Sequence, residues 1–279
     1  MKYINTDLLG ISIDNEEQKK IQLDILKYVA SFCEKNGLRY YLADGTLIGA
    51  VRHHGYIPWD DDIDIRMPRP DYERMCEIFN TKDNDGTYLL IRPTDKEAQH
   101  YFIKIIDTRT IKIEPYLNYS QGMLGVDIDV FPIDGAPSNI DTYDKMQKDI
   151  RAYNKAYMLK KKTLFRKILT IGKDFVKKRF KAHFCPFMSA CEVAQIVKDK
   201  SMKYDFDKSE FVCHIGIGDR YRFSKSCYDT FIMMPFEGCE FRVPVGYDEI
   251  LSAHYGDYMK LPPIEKQVTH HANNVYWKK

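Results

Sequence analysis

The sequence predicts an α/β (α+β) fold: a mixed sheet core with flanking helices and an inserted, mainly helical region. Three observations carry this expectation. "DIDIRM" (62–67) and "GVDIDVFPID" (125–134) alternate acidic with apolar residues, the period of strands that bury one face. Apolar residues recur at helical spacing over 14–36 and again after residue 70, so strands and helices alternate in the first half. From about 139 to 203 the pattern turns helical and rich in tyrosine. A chain of 279 residues suits one large domain or a core with an appended subdomain.

Taken in order, residues 14–36 read as an amphipathic helix. Asp14 and Glu17 have the spacing of a capping box, Ile21, Ile25, Val29 and Phe32 form the apolar stripe, and Gly37 stops the helix. "LRYYLA" is a short strand ending at Asp44-Gly45-Thr46, and "TLIGAVRHH" a short helix beginning just after Gly45. Pro68 and Pro70 end the "DIDIRM" strand. A helix then places Tyr72, Met75, Cys76 and Phe79 on one face. "YFIKIID" is a further strand. "FIMMPFEGCEFRVPV" is a hairpin turning at Glu237-Gly238, with Pro235 confining its arm to a sheet edge. "GYDEILSAHYGDYM" is a last helix with Ile250, Leu251 and Tyr255 inward.

Composition narrows the setting. The net charge of +2 is close to neutral, so no partner follows from the total. Seven cysteines, an odd number without a C-x-x-C pair, fit a reducing, cytoplasmic compartment. The opening "MKYINTDLLGISIDNEEQ" has no sustained apolar stretch, and no window approaches the length of a membrane span, so neither a signal peptide nor a span is expected.

The stretch "LADGTLIGAVRHHGYIPWDDDIDIRM" (42–67) is where the chemistry concentrates. It puts Asp60, Asp61, Asp62 and Asp64 into five positions behind an apolar "GYIPW". Two carboxylates about 4 Å apart repel by roughly 1 kcal/mol in water and about 4 kcal/mol at an effective dielectric near 20. Such a cluster needs a cation, a basic partner or a proton. On a strand Asp62 and Asp64 share a face while Ile63 and Ile65 enter the core. Paired hard oxygen ligands suit Mg²⁺ or Mn²⁺, and Asp127 or Asp129 of "VDIDVF" is placed to add a third carboxylate. The alternative is a solvated acidic loop; the repeated pattern argues for the metal site.

Around it, Gly45 at a strand-to-helix turn lets backbone N–H groups approach a phosphate, and Thr46 offers a hydroxyl. Arg52 either forks to a phosphate or pairs with the neighbouring aspartates. Adjacent His53 and His54 face apart, so a joint zinc site is not expected; one of them is read as orienting an aspartate or phosphate. Lys104, in "YFIKIID", either reaches a phosphate donor or snorkels at a sheet edge.

"ADGTLIGAVRHHGYIPWDDDIDI" strongly resembles the signature of the LicD family, which includes bacterial phosphocholine transferases and fukutin-type ribitol-phosphate transferases. The likeness continues through "MPRPDYERM", "GVDIDVFPID" and "FEGCEFRVPVGYDEILSAHYGDYMKLPP", at both ends of the chain. The resemblance implies a nucleotidyltransferase-like fold, whose pattern is Gly-Gly or Gly-Ser, then D-h-D, then a later acid. Thr46 stands where Ser is usual, and "RHHGYIPWD" separates the glycine turn from the acids more widely, both as in the LicD subgroup. It further implies Asp62, Asp64 and Asp129 as metal ligands, with Asp129 also the catalytic base, and Gly45, Thr46, Arg52 and Lys104 as donor-binding residues. Asp60 flanks the site. The domains expected are a catalytic core over 1–138, a helical, basic insertion over 139–230, and a C-terminal hairpin and helix over 231–279 that complete the core.

The reaction implied is metal-dependent transfer of phosphocholine, or a related substituted phosphate, from CDP-choline or another CDP-polyol to a hydroxyl of a cell-surface glycan or its lipid-linked precursor, releasing CMP. Ribitol or glycerol phosphate are alternatives within the family, and teichoic acid or lipopolysaccharide modification the process. If choline is transferred, Tyr56 and Trp59 are the nearest aromatics for its ammonium, although Trp59 is read as packing. A metal-dependent nucleotide-sugar glycosyltransferase would also use such acids, but leaves "GT…RHHG" unexplained. A binding protein that has lost catalysis would not need all three. Finally, "LKKKTLFRKILTIGKDFVKKRFKAHF" (159–184) has a single acid, Asp174, and apolar residues at helical spacing. It is either a core-packed helix or a peripheral contact with an anionic membrane; no nucleic-acid recognition motif accompanies it.

Overall fold

The computed structural model describes residues 6–81, 85–114, 124–162, 187–214, 221–269 and 274–279. Strand β1 (Leu9–Ser12) leads into helix α1 (Asn15–Lys35), capped by the Asp14 carboxylate, which accepts from the Glu17 N–H at 2.8 Å. The helix ends at Asn36 and Gly37, whose φ of +65° suits glycine. Strand β2 (Tyr41–Leu42) and helix α2 (Asp44–Ile48), extended by a π turn over Gly49–His53, carry the chain to β3 (Asp64–Pro68) and α3 (Arg69–Ile78). Then come β4 (Tyr88–Ile91), β5 (Ile103–Asp107), β6 (Thr110–Ile113) and β7 (Asp127–Ala136). Two helices follow, α4 (Ile140–Lys161) and α5 (Ala190–Ser201), then β8 (Phe211–Cys213) and β9 (Arg222–Ser224). The chain closes with β10 (Phe231–Phe236), β11 (Cys239–Pro244), α6 (Tyr247–Tyr255) and β12 (Asn274–Lys278).

The central sheet has the order β2-β3-β7-β5-β4, mixed as expected: β3 and β7 run parallel and the other neighbours antiparallel. Alternation decides its faces. Ile63, Ile65, Val126, Ile128 and Val130 are fully buried against α1, whose Ile25, Leu26 and Val29 pack on the same core. Pro132, mid-strand in β7, sits where the strand changes partners, from β5 before it to β8 after it. There a missing N–H costs little. A smaller sheet, β1-β12-β6, joins both ends of the described chain.

The hairpin β10–β11 turns at Glu237-Gly238, with φ of +49° and +73°. Its tip docks on the "HHGY" segment: Glu237 accepts from the Tyr56 N–H at 2.9 Å and donates its own N–H to the His54 carbonyl. A Cβ on Gly55 would lie 2.3 Å from that carboxylate, which is why glycine stands there.

Three expectations are corrected. Residues 139–230 are not only helical, because β8 and β9 extend the central sheet through the tail of β7. Tyr255 is not inward: it is 47% exposed at the end of α6, while Ile250 and Leu251 are buried. Lys104 is no edge residue, since β5 lies between β7 and β4 and its side chain is buried. The basic stretch falls outside the described residues from 163 to 184. Of its described part, Lys161 turns inward, its ammonium donating to the Lys96 carbonyl at 3.3 Å beside the Tyr157 ring. No helix among the described residues is long and apolar enough to cross a membrane.

At the start of α3, Arg69 forks onto Asp134 of β7 at 2.6 and 2.9 Å, with Asp134 wholly buried. Removing one partner strands a buried charge, so Asp134→Ala should lower unfolding stability by about 3–5 kcal/mol in urea titrations. A loss below about 1 kcal/mol would show the pair to be dispensable.

Candidate active site

Parallel pairing brings the acids together. Asp64 is the first residue of β3 and is in register with Asp129 of β7; Asp129 is in turn opposite Lys104 of β5. Asp62 precedes the strand but shares the cleft. That cleft, about 320 Å³, is lined by Asp44, Asp62, Asp64, Asp129, Phe131, His254 and Tyr255. The three predicted acids therefore line one cleft. Among the described residues, one trio of acids brings a carboxylate oxygen from each to within 4.8 Å of the others: Asp60, Asp61 and Asp62. Asp62 belongs to both groups.

The backbone of the acidic segment is pinned on both sides. Thr46 accepts the Asp64 N–H at 2.9 Å, so its buried hydroxyl is used to fix a ligand-bearing residue. Gln18 and Gln22, buried on α1, donate to the Asp61 carbonyl at 3.2 and 3.0 Å. Gln22 also reaches the Asp127 carbonyl at 3.3 Å. Gly45 lies within the first turn of α2, which begins one residue earlier than expected, and a Cβ there would sit 2.4 Å from the Asp60 carboxylate. Asp44, with φ of +48°, is held by Arg66 through two hydrogen bonds of 2.8 and 3.0 Å.

Below Asp129 lies a buried charge network. Lys104 donates to Asp129 Oδ1 at 2.5 Å and to Asp127, which also accepts from Lys112 at 2.6 Å. Burial opposes the charge of Lys104, but Asp127 and Asp129 outweigh it and hold the ammonium well above its usual range. Burial likewise opposes ionisation of Asp127, and the two lysines hold it well below the carboxylate range. The two acids of "VDIDVF" thus differ: Asp127 is neutralised from within, while Asp129 faces the cleft.

Burial and mutual charge make the cleft acids resist ionisation. Burial, then the Asp62 charge, raises Asp60 to about 7. Burial, then the charges of Asp62, Asp44, Asp129 and Asp60, raises Asp64 well above its usual value. Burial raises Asp129 to about 7, with Asp127 adding and Lys104 opposing. Hard carboxylate oxygens that resist ionising together are the donor set a small divalent ion satisfies.

Other expected residues are placed elsewhere. The Arg52 guanidinium meets neither a cleft acid nor the cleft wall; it donates to the Tyr258 carbonyl, to Lys260 at 3.5 Å and to His53 at 2.9 Å, fastening the segment after α6. His53 packs edge-on to Trp59, and His54 lies 3.2 Å from the Ala50 carbonyl, so both serve this local turn. The Tyr56 hydroxyl donates to α1 and Trp59 packs on the core, so neither lines the cleft. Its aromatic walls are Phe131 and Tyr255. Sequence reasoning missed these two, Asp44 and His254: Phe131 follows the alternating acids as an apolar residue, and the other three stand outside the acid-rich patterns.

The family model described as LicD/FKTN/FKRP, nucleotidyltransferase domain, matches residues 37–172, which hold every acid above. The lipopolysaccharide cholinephosphotransferase LicD of Haemophilus influenzae is 34% identical over 267 residues, covering 93% of this chain and 97% of that protein. The ribitol 5-phosphate transferase FKRP of Homo sapiens is 49% identical over 39 residues, 14% of this chain and 8% of that one. Mannosyltransferase regulator 4 of Saccharomyces cerevisiae is 25% identical over 113 residues, 40% of this chain and 9% of its own.

The cleft acids fix a pH dependence. An acid whose folded pKa is raised binds more protons folded than unfolded, so stability falls as pH climbs from about 4 through about 7. Metal-free protein should therefore melt at a lower temperature at pH 8 than at pH 5.5, with Mg²⁺ raising the melting temperature more at pH 8. A Mg²⁺ shift equal at both pH values would contradict this.

Proposed function

The chain belongs to the LicD/FKTN/FKRP family, and from that premise we propose that it transfers phosphocholine from a CDP-activated donor to a glycan hydroxyl, releasing CMP. The observation that carries this reading is the register of Asp64 with Asp129 beside Asp62, in a cleft open enough for a diphosphate. The long match to a lipopolysaccharide cholinephosphotransferase favours choline as the substituent and a lipopolysaccharide-type sugar as the acceptor. The shorter match to a ribitol 5-phosphate transferase keeps a polyol phosphate as the second reading. The six described cysteines are free, which supports a reducing, cytoplasmic setting. Contact of the 159–184 stretch with anionic lipid belongs to the same reading, with Lys161 excluded from that contact.

Asp62 and Asp64 would hold Mg²⁺ or Mn²⁺, with Asp60 completing the oxygen set. When bound, the ion supplies positive charge that the donor diphosphate and the acids share. Asp129 takes the proton of the acceptor hydroxyl; the acceptor oxygen then forms the new bond to phosphorus as the bond to CMP breaks, and CMP leaves with the electron pair. A pKa of about 7 suits a base working near neutrality. Lys104 occupies Oδ1 of Asp129 and leaves Oδ2 for that proton, so it positions the base and does not bind donor directly. Phe131 and Tyr255 offer aromatic faces to the choline ammonium.

The test is CMP release from CDP-choline, CDP-ribitol and CDP-glycerol, with and without EDTA. CDP-choline should be used fastest and EDTA should abolish turnover. Asp62→Asn and Asp64→Asn should lose transfer and metal-dependent donor binding together. Asp129→Asn should lose at least a thousandfold in turnover while donor binding stays within threefold. Wild-type rates in any of the three, with circular dichroism unchanged, would overturn the assignment.

A further inference from the structure

A second cavity, about 200 Å³, lies beside the acid cleft between α3, the approach to β5 and the facing sides of α4 and α5. A water's share of liquid volume is about 30 Å³, so the space takes several waters or one small ring. Tyr72, Tyr101, Phe102 and Pro132 form its apolar wall. Phe102 also lines the lysine-bearing recess against Asp129 and packs on Phe131 of the cleft at 4.5 Å between ring centres. One aromatic layer therefore separates the two spaces.

The polar groups of this cavity define what fits it. Asn154 is 4% exposed and Ser201 1%, and both line the cavity. Neither the amide nitrogen nor the amide oxygen of Asn154, nor the Ser201 hydroxyl, has a hydrogen-bond partner among the described residues. Native interiors rarely leave such groups unmet without a water or ligand. An amide and a hydroxyl both donate and accept, so their partner must do both. Every charged residue on the wall is already paired: Arg69 with Asp134 and Glu73, Lys198 with Glu73, Glu77 with Arg74, and Arg92 with Asp95. No charge is left over for an anionic or cationic ligand. Cys76, whose thiol burial pushes up to about 12, adds only apolar surface.

We propose that this cavity binds one neutral sugar ring of the acceptor glycan. A sugar presents hydroxyls that donate and accept to Asn154 and Ser201, and an apolar C–H face to Tyr72, Tyr101 and Phe102. A purely apolar ligand would leave the amide unmet, and a phosphate would find its cations occupied. Phe102 lines both this cavity and the recess that holds Asp129, so the rest of the glycan would extend past it toward the base. That the sugar belongs to the acceptor rests on the transferase reading; that a sugar binds does not.

The test uses the full chain and free glucose, galactose and N-acetylglucosamine as probes, followed by saturation-transfer NMR. At least one should bind, and Asn154→Leu should weaken it about tenfold or more, with Ser201→Ala weakening it in the same direction. In the transferase assay with lipopolysaccharide, Asn154→Leu should raise the acceptor KM by a similar factor, with CMP release to water unchanged in the absence of acceptor. If no sugar binds wild type, or binding is indifferent to both substitutions, water alone fills the cavity and the proposal fails. Weakened sugar binding with an unchanged acceptor KM would overturn the acceptor assignment in favour of a free sugar. Should no donor release CMP at all, the transferase reading falls and the sugar titration still decides the site.

Discussion

The parallel pairing of β3 with β7 is the constraint from which the site follows. It sets Asp64 against Asp129 across two strands whose other faces are locked into the core by Ile63, Ile65, Ile128 and Val130. A one-residue slip would send those apolar side chains outward, so hydrophobic burial holds the register against the repulsion of the acids. Nothing in the acids themselves favours their assembly. Burial, with the neighbouring acids adding to it, raises the proton affinities of Asp60, Asp64 and Asp129.

The protein offsets part of this repulsion with its own groups and leaves the rest open. Asp127, two residues before Asp129, is neutralised by Lys104 and Lys112 inside the fold. Lys104 extends that compensation to one oxygen of Asp129 and stops there. Arg66 compensates Asp44 in the same way at the cleft's other wall. Asp64's backbone is tied down through Thr46, while its carboxylate lies under the charges of Asp62, Asp44, Asp129 and Asp60. Charge compensation is thus internal for the supporting acids, while Asp62 and Asp64 are presented to the cleft. Buried glutamines on α1 and a hairpin tip docked at Gly55 make the acidic loop rigid, so the ligand geometry does not depend on the loop's own preferences.

Much of this was legible where periodicity and chemistry coincide. The alternation in "DIDI" and "VDIDV" shows which acids share a face, and the Glu237-Gly238 turn and the Asp14 cap are readable from local rules alone. Long-range partners are not. Gln18 and Gln22 look like polar positions of an amphipathic helix, yet they fall on the buried face to meet carbonyls 39 and 43 residues away. Arg52, beside the acids in sequence, is drawn to the Tyr258 carbonyl by the return of the C-terminal segment. Tyr255 lies four residues after Leu251, a spacing that predicts burial, but α6 ends there at Gly256 with φ of +67°, beyond the edge of the core. Short strands such as β4, β8 and β9 have too few residues for a period to show, and their pairing is set by neighbours distant in sequence.

We propose that a divalent ion completes the acids that the strand register brings together. Manganese titration followed by electron paramagnetic resonance tests it without any knowledge of the substrate. One Mn²⁺ site per chain is expected, weakened at least tenfold in Asp64→Asn and tightened by a CDP-linked donor. Equal Mn²⁺ affinity in wild type and Asp64→Asn would contradict the account.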